Sequence, residues 1–249
     1  MQPRQPHLWC FTWHLSVVHM VWPTSEHSDY VSQHLVLFVE SQITQTVTRV
    51  DAIWDTYPED NIKTLTHQNR GLDPRTKIGD GHTRIPKQDW NTWFLKNIDN
   101  EKELFPFLSI ELVKQDLGGR LLLSTNLQSV LSNKQQDISG LQPCNHTEAD
   151  TRILLHLAQA ANQGHQIALV HTVDSDVVIL AIHWFASFDL SELWVCLGIG
   201  KKIRDIPIHT ISAQLGPSRC MALSLFHAVM GCDTVSHILG CGKKTAWSA

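Results

Sequence analysis

Hydrophobic and polar positions along the chain fall into three regimes. Near the amino end an apolar run from Leu8 to Trp22, interrupted by His14 and His19, is expected to be buried core. Within residues 30–43, Val31, Leu35, Phe38 and Val39 recur at helical spacing, with Ser28 or Asp29 placed to cap the amino end. Val50, Ala52, Ile53 and Trp54 then predict a short buried strand whose carboxy end delivers Asp55 into a loop. Residues 56–91 are rich in charge, Gly and Pro, the pattern of an exposed basic loop or arch. Beyond it, residues 91–112 have a helical pattern broken at Pro106, and 120–124 predict a strand after the Gly118-Gly119 turn.

The carboxy-terminal half is more regular. Ile153, Leu154, Leu157, Ala158 and Ala161 mark one face of a helix from Glu148 to Asn162, ended by Gly164. A strand over 167–171 leads directly to Asp174 and Asp176, and a second apolar run follows from Val177 to Ile182. Residues 193–199 predict a further strand and 219–230 a helix. Strands alternating with helices indicate an α/β fold with a mostly parallel central sheet flanked by helices, in which a ligand site lies beyond the carboxy ends of the strands. One domain over 1–249 is expected, with residues 1–25 atypical of it.

Composition narrows the classes of function. With 249 residues and 43% hydrophobic content, a sizeable core can be filled. A net charge of −4 supplies no general attraction to nucleic acid, so any such binding needs local patches. Residues 56–91 carry Lys63, Arg70, Arg75, Lys77, Arg84 and Lys87; smaller patches are Lys201, Lys202 and Arg204, and Lys243 with Lys244. Six cysteines without a C-x-x-C pair indicate reduced thiols in the nucleus or cytoplasm, and Cys144 with His146 makes only half of a zinc site. No signal-peptide cleavage pattern follows the first apolar run, and no stretch reaches the ~18 apolar residues of a membrane span.

Acidic residues carry the candidate chemistry. Glu148 and Asp150, Asp174 and Asp176, and Asp233 stand beside strongly apolar sequence, with Asp55 at its predicted strand end. Carboxylates brought together repel unless cations sit between them, and oxygen-only ligands favour two Mg²⁺ or Mn²⁺ ions, the apparatus of phosphodiester hydrolysis. Taken alone, Glu148 and Asp150 are also explained as partners of a helix dipole. Gly240 and Gly242 before Lys243 and Lys244 suit close approach of backbone N–H groups to a phosphate at a helix start. His171, His183, His209 and His227, and Trp54, Trp184 and Trp194, read as core residues.

These stretches resemble the flap-endonuclease type of nuclease within the wider PIN-like fold. Its E-A-E, D-x-D, G-[SC]-D and G-x-G-x-K-x-A motifs are similar to EAD at 148–150, DSD at 174–176, GCD at 231–233 and GCGKKTA at 240–246. The order agrees throughout. AIWD at 52–55, with Lys63 and Arg70 behind it, resembles the family's second metal strand and its phosphate-positioning cations. Residues 28–249 also resemble a group of animal proteins associated with mobile elements.

The resemblance implies that Asp55, Glu148, Asp150, Asp174, Asp176 and Asp233 hold two Mg²⁺ (or Mn²⁺) ions. Lys63 and Arg70 would act as catalytic clamps, with Gly240, Gly242, Lys243 and Lys244 binding nucleic acid. The implied substrate is DNA, branched or with single-stranded segments, or RNA. Two departures accompany it. His14 stands where the family's first strand carries an acid, and residues 231–249 contain only the start of a helix-two-turn-helix. A catalytically inactive nucleic-acid or protein-binding module is the alternative, and a phosphatase or nucleotidyltransferase using the DSD pair is a third.

Overall fold

The computed structural model describes residues 7–12, 18, 27–57, 78, 90, 94–198, 200–231 and 243–248. Its described strands form one seven-stranded sheet in the order β4-β3-β2-β1-β5-β6-β7. These are β1 (His7–Thr12), β2 (Val47–Ile53), β3 (Leu121–Asn126), β4 (Ser129–Ser132), β5 (Ile167–Thr172), β6 (Glu192–Leu197) and β7 (Arg204–Pro207). The five inner strands are parallel, and antiparallel β4 and β7 close the edges. The fold is therefore α/β with a mostly parallel sheet.

Both faces of the sheet are covered, which is why its inner strands lack clean alternation of apolar and polar residues. On one face Val50, Ala52, Trp54 and Leu122 pack with helices α1 (His27–Tyr30), α2 (Val36–Gln42) and α3 (Ile98–Val113); a π-helical segment, Val31–Leu35, joins α1 to α2. On the other, Ile53, Ala168, Val170, Leu193 and Val195 pack with α4 (Ala149–Asn162), α5 (Ser175–Trp184), α6 (Ile208–Leu215) and α7 (Pro217–Val229). A last helix, α8, spans Lys243–Ser248.

Several local expectations shift. The first helical stretch starts at His27, so Ser28 and Asp29 lie inside its first turn and do not cap it. Helix α3 continues through Pro106. Burial of Leu104, Phe105, Leu108, Ser109 and Leu112 along it outweighs a break that would cost about 3 kcal/mol in an isolated helix. The 177–182 run is helical. Its N-cap is Asp174, which accepts from the Asp176 backbone N–H at 2.8 Å. Strands β4 and β7 and helix α6 carried too few periodic positions to be foreseen.

Helix α4 turns a different face inward from the one expected. Arg152 and His156 are buried alongside Ile153 and Leu157, while Leu154 and Ala158 are only half-buried. Arg152 reaches the β3–β4 turn, donating to the carbonyls of Leu127 and, at 2.8 Å, Ser129. His156 donates from Nδ1 to Asp51 at 2.7 Å. Asp51 also takes both arms of Arg49, at 2.8 and 2.6 Å, and Arg49 continues to Gln159 on α4 and to Gln163 just beyond its end. This buried network clamps α4 across β2. Gly164, at φ 89°, ends the helix as expected, with Gly164 N–H bonding Ala161 O and His165 N–H bonding Ala160 O.

Candidate carboxylate edge

Topology gathers the acids. β2 and β5 flank β1 on either side, so chain connections depart in opposite directions at β1, and such a switch point opens a crevice beyond the carboxy ends of the strands. Asp55 follows the end of β2 by two residues, and Asp174 follows the end of β5 by two. Asp55 is 4% exposed and its Oδ1 accepts from the Ala149 N–H at 2.8 Å, 94 residues further along the chain. The first turn of α4 is thereby capped by an acid from a strand. Glu148 occupies the cap position itself but makes no side-chain capping bond. Thr56 N–H reinforces the junction by bonding Thr147 O at 2.8 Å.

Two more side chains from the segment after β2 face the helical layer opposite α4. Trp54 stacks on Phe105 at 5.2 Å, its indole N–H donates to Ser124 Oγ at 2.9 Å, and its backbone N–H donates to Thr125 Oγ1 at 2.8 Å. Tyr57 stacks on the same Phe105 and donates its phenol hydrogen to Glu101, a buried acid one turn earlier on α3. Burial first, then the charges of Glu101, Asp55 and Glu148, push the Tyr57 phenol far above its ordinary range. Three carboxylates therefore act on one phenol. Sequence gave no sign of Glu101, since an acid in the first turn of a helix ordinarily answers the helix dipole.

On the β5 side, Asp174 caps α5, and Asp176 in its first turn accepts from His227 Nε2 at 2.8 Å. His227 lies in the last turn of α7 and meets Lys243 Nζ at 3.2 Å through Nδ1. It was read as core; the structure makes it part of this edge. Trp184 departs from its core reading in another way, standing 45% exposed, whereas Trp54 is buried.

Asp55, Glu148, Asp150, Asp174, Asp176, Lys243 and Lys244 are thus among the described residues. Lys63, Arg70, Asp233, Gly240 and Gly242 lie outside them, as do His14 and most of the 56–91 loop. The donors are all carboxylate oxygens, matching a hard divalent cation in chemistry. Among the described residues, however, no group of three or more His, Cys, Asp or Glu side chains is arranged to hold a metal ion. Protein donors offer a physical reason: Asp174 accepts from the first turn of the helix it caps, and Asp55 and Asp176 each direct an oxygen to an N–H group of another helix. The mutual repulsion that seemed to require cations is partly offset by helix amino ends and a histidine.

Cys144 is a buried free thiol and His146 an exposed side chain, and no metal group among the described residues includes them. Among the described residues, no helix is long and apolar enough to cross a membrane. No family model, curated protein or solved structure matches the chain.

Proposed function

We propose that this chain is a PIN-like, metal-dependent nuclease acting on DNA that is branched or partly single-stranded, or on RNA, in the nucleus or cytoplasm. One observation carries the reading: Asp55 and Asp174 stand at the carboxy ends of the two strands flanking β1, where the strand order reverses. Asp55, Glu148, Asp150, Asp174 and Asp176, with Asp233, would hold two Mg²⁺ or Mn²⁺ ions. Metal bound there would supply an activated water and offset charge on the scissile phosphate.

The chain's own groups do the positioning. Asp55 orients the start of α4, bringing Glu148 and Asp150 to the edge that Asp174 and Asp176 reach from β5. Exposed Lys243 and Lys244, preceded by Gly240 and Gly242, would grip a phosphate backbone, and Lys63 and Arg70 would clamp the scissile group.

Asp174→Asn is an unusually clean test, because asparagine still accepts from the Asp176 N–H and caps α5. The full chain should cleave branched DNA in Mg²⁺ or Mn²⁺, and the folded variant should not. Equal cleavage by the variant would refute the assignment. The second reading, an inactive nucleic-acid or protein-binding module, is favoured by the protein donors already on Asp55, Asp174 and Asp176 and by the lack of a three-ligand group among the described residues. Calorimetry with Mn²⁺ separates the two: a module without turnover needs no two-ion affinity.

A further inference from the structure

Helices α5, α6 and α7 enclose a cavity of about 560 Å³. Its walls are the carboxy end of α5 with the 3₁₀ turn Phe185–Ser187 behind it, the inner turns of α6, and the opening turns of α7. Gly216, at φ 77°, ends α6 and lets α7 start at once with Pro217, a backbone conformation that other residues rarely adopt. Ala186, Ser187, Ala213 and Gly216 bring little side chain to the walls, and a Cβ added to Gly216 would meet nothing within 4 Å. The corner therefore stays open.

Aromatic rings dominate the lining. Trp184, Phe185 and the imidazoles of His183 and His209 supply them, and none of the described lining residues is Asp, Glu, Lys or Arg. Trp184 is 45% exposed and Met221 65%, so apolar surface lies open at the cavity. The polar atoms are few and mostly acceptors. His209 Nδ1 lies 3.1 Å from Leu193 O; a carbonyl only accepts, so a neutral ring carries its proton on Nδ1 and keeps Nε2 as an acceptor. His183 Nδ1 meets Ser224 Oγ at 2.8 Å, and that hydroxyl spends its one hydrogen on Met221 O at 3.2 Å, which puts the His183 proton on Nδ1 as well. On the α6 wall, Ser212 Oγ is buried with no hydrogen-bond partner among the described residues.

We propose that this cavity binds a small, uncharged, planar aromatic molecule that carries an N–H donor, of the indole kind. Each part of that description has its source in the lining. The volume falls within the range of small-molecule sites, and such sites are apolar with a few fixed polar groups. Flat aromatic walls favour a flat ring. Two imidazole acceptors favour a donor, and a lining without charged side chains gives an ionic ligand nothing to replace its lost hydration. The site is separate from the acidic edge: Trp184 lies at the far end of α5 from Asp176, about 12 Å along the helix, so it holds whether or not that edge binds metal.

The test is titration of the full chain with indole, followed by NMR of the Trp184 side-chain N–H and the Met221 methyl. Both signals should shift and saturate. 1-Methylindole, the same ring without its N–H, should bind about 3- to 10-fold more weakly. Ala213 is an exposed lining residue, so Ala213→Trp should melt like wild type while filling the cavity and abolishing indole binding; Met221→Trp repeats the block from α7. No saturable indole binding, or unchanged binding in either folded variant, overturns the site. Equal affinity for 1-methylindole, or benzoate bound as tightly as indole, overturns the ligand class. Sedimentation that shows a dimer broken by Ala213→Trp also overturns the proposal, because the occupant is then a second copy of the chain.

Discussion

Replacing Asp55 by alanine should unhinge α4 from the sheet, and the structure sets the size of the effect. Asp55 Oδ1 accepts from the Ala149 N–H at 2.8 Å, and Ala149 is fully buried. Removing the acceptor strands a buried donor, a loss of about 1–3 kcal/mol. It also removes a negative charge from a helix amino end, worth another ~0.3–1 kcal/mol. The combined loss of about 1.3–4 kcal/mol corresponds to a fall of roughly 3–16 °C in melting temperature for a chain of this size. Asp55→Asn keeps an oxygen at the same place and relaxes the crowding of Asp55, Glu148 and Glu101 around Tyr57, so it should cost less than about 1 kcal/mol. Circular dichroism melts and urea titrations of the three proteins measure this directly. A melting temperature for Asp55→Ala equal to that of wild type, or an Asp55→Asn loss as large as the alanine one, would refute the capping role.

Acid should weaken the fold in two stages through the network beneath α4. Burial lowers the His156 pKa, with Asp51 opposing, so the unfolded chain takes up a proton first and stability begins to fall as pH drops below about 6.5. Burial raises the Asp51 carboxyl, but Arg49 and His156 more than offset it and hold the group at about 2 against an ordinary 3.8; about 2 kcal/mol is then lost between pH 4 and pH 2. Urea midpoints measured from pH 7 to pH 2 should show both limbs, and a flat profile would contradict the network. At the other end of α4, Gly164→Ala should destabilise by about 1 kcal/mol, read from the urea midpoint. An added Cβ meets nothing within 4 Å there, so the loss comes from the backbone at φ 89°, and an unchanged midpoint would exclude it.

Much of the architecture was legible because strands and helices leave local periods. Val50 to Trp54, 167–171 and 193–199 were recognisable as buried strands by their predominantly apolar runs, and the helix from Glu148 to Asn162 by its spacing and its terminal glycine. The placement of Asp55 and Asp174 at strand ends followed from those boundaries alone. Short edge strands such as β4 and β7 were not legible, since four residues contain too few periods to stand out.

What sequence by itself determined is the alternation of strand and helix, and with it a parallel sheet whose carboxy edge is acidic. Only the tertiary structure decided which donor each acid meets. Asp55 caps a helix 94 residues away, Glu101 enters beneath Tyr57 from the opposite layer, and His227, indistinguishable in sequence from a core histidine, closes on Asp176. Local sequence records period and polarity. Hydrogen-bond partners depend on strand order and on which helix end is brought over which strand, and both are set by packing across the whole sheet.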